Sequence, residues 1–322
     1  MKKILILHTG GTISMYEDKR SGEVKPSGTN PLLESAQAAG HLADLIVEEP
    51  FQLPSPHITP REMLMLKERI EHHLEKNGID GAVITHGTDT LEETAYFLDL
   101  TVDTDIPIVV TGAMRSSNEI GSDGLYNFIA AVRTAVHDEA RDKGVLVVLN
   151  DEIHSAKNVT KTHTSNVSTF QSPQYGPIGI ITKKAILFHH QPIGRKKIPV
   201  NALSKRVELL KAYAGMDASL FFALGEMKID GLVIEALGQG NLPPQVLPGI
   251  RKLLEEGIPI VLVSRCFNGT VEDVYQYEGG GAQLKRMGII FSNGLNGQKA
   301  RIQLMLALER TKDPEKIKEF FQ

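Results

Sequence analysis

The chain has 322 residues, which at roughly 150 per domain predicts two domains. Its apolar fraction of 41% and charged fraction of 23% exclude disordered and low-complexity classes, and 35 Lys and Arg against 39 Asp and Glu leave a net charge of −4, with no basic stripe for nucleic acid. Cys266 is the only cysteine, so neither an intrachain disulfide nor a cysteine-based metal cluster can form, and apolar runs such as Val145–Leu149 fall far short of a membrane span.

At the N-terminus, Lys2 and Lys3 precede an apolar stretch, Ile4–Leu7, that is too short for a secretory signal and reads as a buried first strand. A cytoplasmic protein is the expectation. Further short apolar runs bounded by turn residues follow at Gly81–Thr85, Ile108–Thr111, Val145–Leu149, Gly231–Ile234, Ile258–Val263 and Gly288–Phe291. Helix-length amphipathic segments lie between them. One begins with the capping box Thr59-Pro60-Arg61-Glu62 and carries an apolar stripe at Met63, Leu66, Ile70 and Leu74; the last begins at Asp313-Pro314-Glu315. This alternation predicts an α/β protein of two domains, a larger N-terminal one with a mostly parallel sheet (residues 1–190) and a smaller C-terminal α/β domain (212–322). The Pro-, Gly- and Lys-rich stretch 191–211 reads as a linker.

In open α/β sheets ligands bind beyond the carboxyl ends of the strands, and two motifs sit there. The first strand runs into His8-Thr9-Gly10-Gly11-Thr12-Ile13-Ser14, where paired glycines permit a tight turn. The strand Gly81–Thr85 runs into His86-Gly87-Thr88-Asp89-Thr90-Leu91-Glu92-Glu93. A threonine hydroxyl becomes a nucleophile when a base takes its proton and donors stabilise the oxyanion; turn amides around Gly11 and Gly87 are placed to supply the donors. Taken singly, Gly-Gly is also an ordinary turn and Thr88 or Asp89 an ordinary helix cap. Lys161, set among hydroxyls in Asn158-Val159-Thr160-Lys161-Thr162-His163-Thr164, is either a proton acceptor or a solvated surface lysine. His8 and His86 flank both turns as bases or as backbone-bonded core residues. His72-His73 and His189-His190 lack metal-ligand spacing, and no phosphate-binding or dinucleotide-binding glycine motif follows any strand.

Thr9-Gly10-Gly11-Thr12-Ile13, Ile84–Ala95, Thr111-Gly112-Ala113-Met114-Arg115 and Val159-Thr160-Lys161-Thr162 together resemble the bacterial L-asparaginases in order and spacing. Gly238-Gln239-Gly240-Asn241 and Asn296–Arg301 are similar to that family's C-terminal domain. The resemblance implies hydrolysis of L-asparagine to L-aspartate and ammonia without cofactor or metal, in a homotetramer of intimate dimers or a homodimer, with no nucleic-acid or membrane partner. It implies Thr12 as nucleophile, with Thr88, Asp89 and Lys161 as a second cluster in which Lys161 promotes proton transfer through Thr88 and Asp89 also grips the substrate α-ammonium. Ser55 would hold the α-carboxylate, the backbone of Ala113 would line the amide pocket, and Asn241 would serve the neighbouring subunit's site.

Three departures bear on substrate choice. In the loop where the family carries a tyrosine, the stretch Ser21–Gly28 offers Glu23 or Val24, with Tyr16 as a substitute. Pro56 follows Ser55 where periplasmic-type members have glutamine. Glu278 is the only carboxylate near the place of a partner-derived acid, within the glycine-rich stretch Glu278–Ala282. A dual glutaminase–asparaginase is the alternative enzyme, and an inactive amino-acid-binding homologue the alternative outside catalysis. The ammonia-releasing subunit of a tRNA amidotransferase, which carries an extra domain ahead of the Gly-Gly-Thr motif, fits less well.

Overall fold

In the computed structural model, strand β1 (Lys3–His8) is buried along nearly its whole length, as a continuous apolar run between two neighbours requires. Residues 1–18, 20–26, 39–194 and 196–322 are described, and they form two units, Met1–Lys197 and Ile198–Gln322. After β1 a 3₁₀ turn at Thr12–Ser14 leads into a hairpin of β2 (Met15–Glu17) and β3 (Val24–Pro26). Next come β4 (Asp44–Glu48), helix α1 (Pro60–Asn77), β5 (Gly81–Thr85), α2 (Leu91–Thr101), β6 (Ile108–Thr111), α3 (Gly124–Ala135) and β7 (Val145–Leu149). The unit closes with β8 (Glu152–Ser155), the two-residue strands β9 (Thr160–Lys161) and β10 (Phe170–Gln171), β11 (Gly179–Ile181) and β12 (Ile186–Phe188).

Eight strands form one sheet in the order β12-β11-β8-β7-β6-β5-β1-β4. From β4 to β7 neighbouring strands are parallel; from β7 to β12 they are antiparallel. The change of direction occurs at a two-residue turn, Asn150-Asp151, whose φ angles of 51° and 64° match the primed turn that a twisted hairpin favours. Helix α1 forms where the capping box predicts: Thr59 N–H donates to the Glu62 carboxylate (2.9 Å), the Thr59 hydroxyl accepts from the amide of Arg61 (3.3 Å), and Gly78 ends the helix in the left-handed region. Met63, Leu66 and Ile70 are buried, while Leu74 at the end of the stripe is half-buried. Helix α2 is buried on almost every side.

The second unit is built on a parallel four-stranded sheet, β13 (Val207–Lys211), β14 (Gly231–Ala236), β15 (Ile260–Ser264) and β16 (Ile290–Phe291), in sequence order. Its helices are α4 (Ser219–Glu226), α5 (Leu247–Glu255), α6 (Gly281–Arg286), α7 (Gly297–Arg310) and α8 (Pro314–Phe320), the last capped by Asp313. Each unit has its own apolar core, one around Ile4, Val83, Phe128 and Leu146, the other around Phe221, Leu232, Ile250 and Leu262. The stretch expected as linker as far as residue 211 ends instead in β13. That edge strand pairs on one side only and is half-buried through Glu208–Leu210, so its charged ends masked it.

Candidate functional site

Strand β1 has β4 on one side and β5 on the other, so the chain leaving β1 turns one way and the chain leaving β5, toward β6, turns the other. That reversal opens a crevice at the carboxyl ends of these two strands, where open α/β sheets bind ligands. Both threonine motifs lie on its rim. His8 and Thr85 end the paired strands in register, and Thr9 donates from both its amide (3.1 Å) and its hydroxyl (2.9 Å) to the Thr85 carbonyl.

The two loops then touch backbone to backbone. Gly11, at φ 79°, is placed so that an added Cβ would lie 2.2 Å from Cα of Gly87, and a Cβ on Gly87 would lie 2.8 Å from the Ser55 side chain. Only glycine satisfies both the torsion and the spacing at Gly11. Thr12 follows, half-buried, with Ile13 and Ser14 buried beside it. Ser55, itself buried, accepts the amide N–H of Asp89 on its hydroxyl (3.1 Å) and the Thr90 hydroxyl on its carbonyl (2.8 Å). Among the described residues its own hydroxyl hydrogen has no acceptor, so it can donate to an anion.

Thr88 is buried, and Lys161 Nζ donates to its Oγ1 at 2.9 Å and to Asp89 Oδ1 at 2.7 Å. The Lys161 side chain is 16% exposed and that of Asp89 60%, so the ion pair is sheltered at the lysine end and open at the carboxylate end. A solvated surface lysine is excluded. Lys161 reaches this place from β9, and Glu92, buried in the first turn of α2, accepts the Thr160 hydroxyl (2.9 Å) and the Lys161 amide (3.1 Å) on one oxygen.

Ala113 is fully buried in the loop after β6. That loop is fixed by Asp123, which accepts the amides of Met114 (3.1 Å) and Arg115 (3.0 Å), and by Asn127, whose side-chain amide donates to the Gly112 carbonyl (3.0 Å). Glu92, Asp123 and Asn127 were not singled out by sequence reasoning. Tyr16 stands on β2 opposite Lys25, and Val24 on β3 opposite Glu17; both are exposed, and Glu23 pairs with Lys25. Ser27 and Gly28 lie outside the described residues. Pro56 sits inside a 3₁₀ turn, Ser55–His57.

The two histidines belong to the scaffold. His86 is buried, its Nδ1–H donates to the Gly87 carbonyl (2.7 Å) and its Nε2 accepts from the Thr94 hydroxyl (2.8 Å), so no nitrogen is left for a substrate. Burial pushes its pKa down to about 4, against the pull of the Gly87 bond. His8 bonds Thr85 Oγ1 through Nδ1 (2.8 Å), its Nε2 is buried without a partner among the described residues, and burial lowers its pKa to about 4 despite the charge of Glu49.

In the second unit, Asn241 is half-buried and its side-chain oxygen accepts the amide of Gly281 (3.2 Å). Leu242 N–H donates to the Gly279 carbonyl (2.9 Å), so Asn241 and the exposed Glu278 lie on neighbouring segments. Among the described residues no His, Cys, Asp or Glu cluster suits a metal ion, and no helix is long and apolar enough to cross a membrane.

This fold sets two threonine motifs at the carboxyl ends of adjacent parallel strands, with a lysine bonded to one of the threonines, an arrangement suited to a hydrolytic enzyme. Residues 3–194 match the family model described as the asparaginase N-terminal domain, and residues 206–321 that of the glutaminase/asparaginase C-terminal domain. A probable L-asparaginase of Deinococcus radiodurans is 39% identical over all of this chain and 97% of its own; L-asparaginase 2 of Escherichia coli is 36% identical over all of this chain and 93% of its own. A glutaminase-asparaginase of Pseudomonas fluorescens is 30% identical over all of this chain and 90% of its own. The crystal structure of a probable cytoplasmic L-asparaginase from Campylobacter jejuni superposes with a TM-score of 0.89 at 36% identity, covering all of this chain and 99% of the other. The chain belongs to the asparaginase family and is an amidohydrolase.

Proposed function

We propose that the protein hydrolyses the side-chain amide of L-asparagine through an acyl-enzyme on Thr12. The observation that carries this reading is the pair of Lys161 contacts, to Thr88 Oγ1 at 2.9 Å and to Asp89 Oδ1 at 2.7 Å, on the rim of the crevice that begins at Thr12. Thr12 Oγ1 attacks the amide carbon; its proton passes to the leaving nitrogen, and backbone amides at the Gly11 and Gly87 turns stabilise the oxyanion. Ammonia departs, leaving an ester on Thr12. Water, deprotonated through Thr88 with Lys161 behind it, attacks the ester and releases L-aspartate with the Thr12 hydroxyl restored. Ser55 holds the α-carboxylate and the open end of Asp89 holds the α-ammonium.

The remaining assignments extend the same reading. Ala113 lines the amide pocket, Asn241 and Glu278 serve a neighbouring copy's site in a homodimer or tetramer, and the protein works in the cytoplasm. The relative from Pseudomonas fluorescens, with glutaminase in its name, keeps glutamine open as a second substrate. One added methylene is worth only about 1–3 kcal/mol in a pocket, so selectivity is decided by assay. Ammonia release from L-asparagine and L-glutamine, measured in parallel over a wide concentration range, tests this. Release from asparagine alone supports the asparaginase; comparable rates define a dual amidase; silence on both overturns the reading and favours a binding protein.

A further inference from the structure

The hairpin that carries Lys161 has little sheet of its own to hold it. Strands β9 and β10 are two residues each and pair with one another in a two-stranded sheet, apart from the eight-stranded one. Yet Lys161 must deliver Nζ to within hydrogen-bond reach of Thr88 across a flexible four-carbon stem, so a small shift of its backbone becomes a large change at the nitrogen.

Glu92 supplies a fixed point. It lies in the first turn of α2, where a carboxylate favours the helix dipole from the solvent side; here it is instead turned inward, 4% exposed, toward β9. One oxygen, Oε1, accepts both the Thr160 hydroxyl (2.9 Å) and the Lys161 amide (3.1 Å). The segment 88–92 therefore grips Lys161 twice, at its ammonium through Thr88 and Asp89 and at its backbone through Glu92. Thr88 and Lys161 are referenced to the same turn of chain, and movement of the hairpin relative to that turn must break bonds to a charged acceptor, which are the strong ones.

We propose that Glu92 is a positioning residue that fixes the Lys161–Thr88 pair by bonding the backbone of β9. The proposal rests on the reading of Lys161 and Thr88 as a proton relay. Glu92 itself does not meet the reacting atoms. What it contributes is an acceptor oxygen in the right place, which an amide also supplies.

Four variants of the full-length protein, Glu92→Ala, Glu92→Gln, Thr160→Val and Lys161→Met, with the double variant E92A/K161M, are assayed for kcat and KM by ammonia release and for folding by thermal melting. E92A is expected to lower kcat about 100-fold, the scale of a misplacement near 1 Å, with KM changed less than about threefold. E92Q recovers at least about tenfold of that loss, and T160V, which keeps the Lys161 amide bond, loses about tenfold. The double variant is no slower than K161M, because Glu92 acts through Lys161. Parental kcat in E92A, equal loss in E92Q and E92A, or multiplied losses in the double variant would overturn the proposal. If E92A does not fold, E92Q and T160V decide it. A K161M protein as fast as the parent would overturn the relay reading itself, and the positioning role with it.

Discussion

Gly11 and Gly87 come so close that one carbon added to the first would lie 2.2 Å from Cα of the second. Two loops leaving adjacent parallel strands are thereby pressed together, and a threonine follows each glycine, Thr12 after Gly11 and Thr88 after Gly87. The contact explains why these glycines flank the two threonines without any phosphate-binding pattern around them.

Gly11→Ala is expected to abolish turnover and to lower stability by at least about 1–3 kcal/mol, since φ is 79° and backbone stands where the methyl group would go. Kinetics and urea unfolding check this. Gly22, also at positive φ but with nothing within 4 Å, is the control: Gly22→Ala carries the torsional cost alone.

Thr88→Val and Lys161→Met remove the two ends of the 2.9 Å contact. Each is expected to lower kcat by about 10²–10⁴, the range for loss of a positioned proton-transfer group, while the melting temperature stays within a few degrees. Losses that multiply in the double variant would show that the two residues act independently.

Acid sensitivity follows from the buried histidines. His8 and His86 are held near pKa 4 by burial and return to about 6.5 when unfolded. The unfolded chain thus binds more protons between these values, so stability falls as pH drops from about 6.5 to about 4, by up to about 3 kcal/mol per histidine. Well above pH 6.5, where both states are unprotonated, neither contributes any slope. Chemical denaturation at pH 7 and pH 5 is expected to show the loss, and His8→Asn to shrink it; an unchanged midpoint would contradict burial of the neutral imidazoles.

Mixed oligomers test whether sites are shared. Co-expressed Thr12→Ala and Asn241→Ala chains are expected to regain activity that neither variant has alone, because one kind of site in the mixture holds both native residues. Absence of recovery in a co-purified mixture would place each site within one chain.

The parallel core was legible because β1, β5, β6 and β7 are uninterrupted apolar runs buried on both faces. Strands β4 and β8 to β12 escaped because they are short or lie toward an edge, with charged or polar residues such as Asp44, Glu48 and Glu152 among the apolar ones. Thr12 and Thr88 stood out in the sequence because each follows a strand, and the model places both at strand ends. Lys161 had only its hydroxyl neighbours as a local signal, which a surface lysine can also have, so the family pattern was needed to single it out. Glu92 was hidden by its place in a helix first turn, where acids are commonplace, with Glu93 beside it; only its burial, in a helix buried on almost every side, sets it apart. Asp123 and Asn127 gave no local signal, because their partners, Gly112 to Arg115, lie a turn and a loop away.

The central claim is a covalent intermediate on Thr12. Rapid quenching of the protein with L-asparagine, followed by digestion and mass spectrometry, is expected to find an aspartyl ester on the peptide containing Thr12, formed with release of ammonia and absent from Thr12→Ala. Steady turnover by Thr12→Ala at a rate near that of the parent, or an ester on Thr88 in place of Thr12, would contradict it.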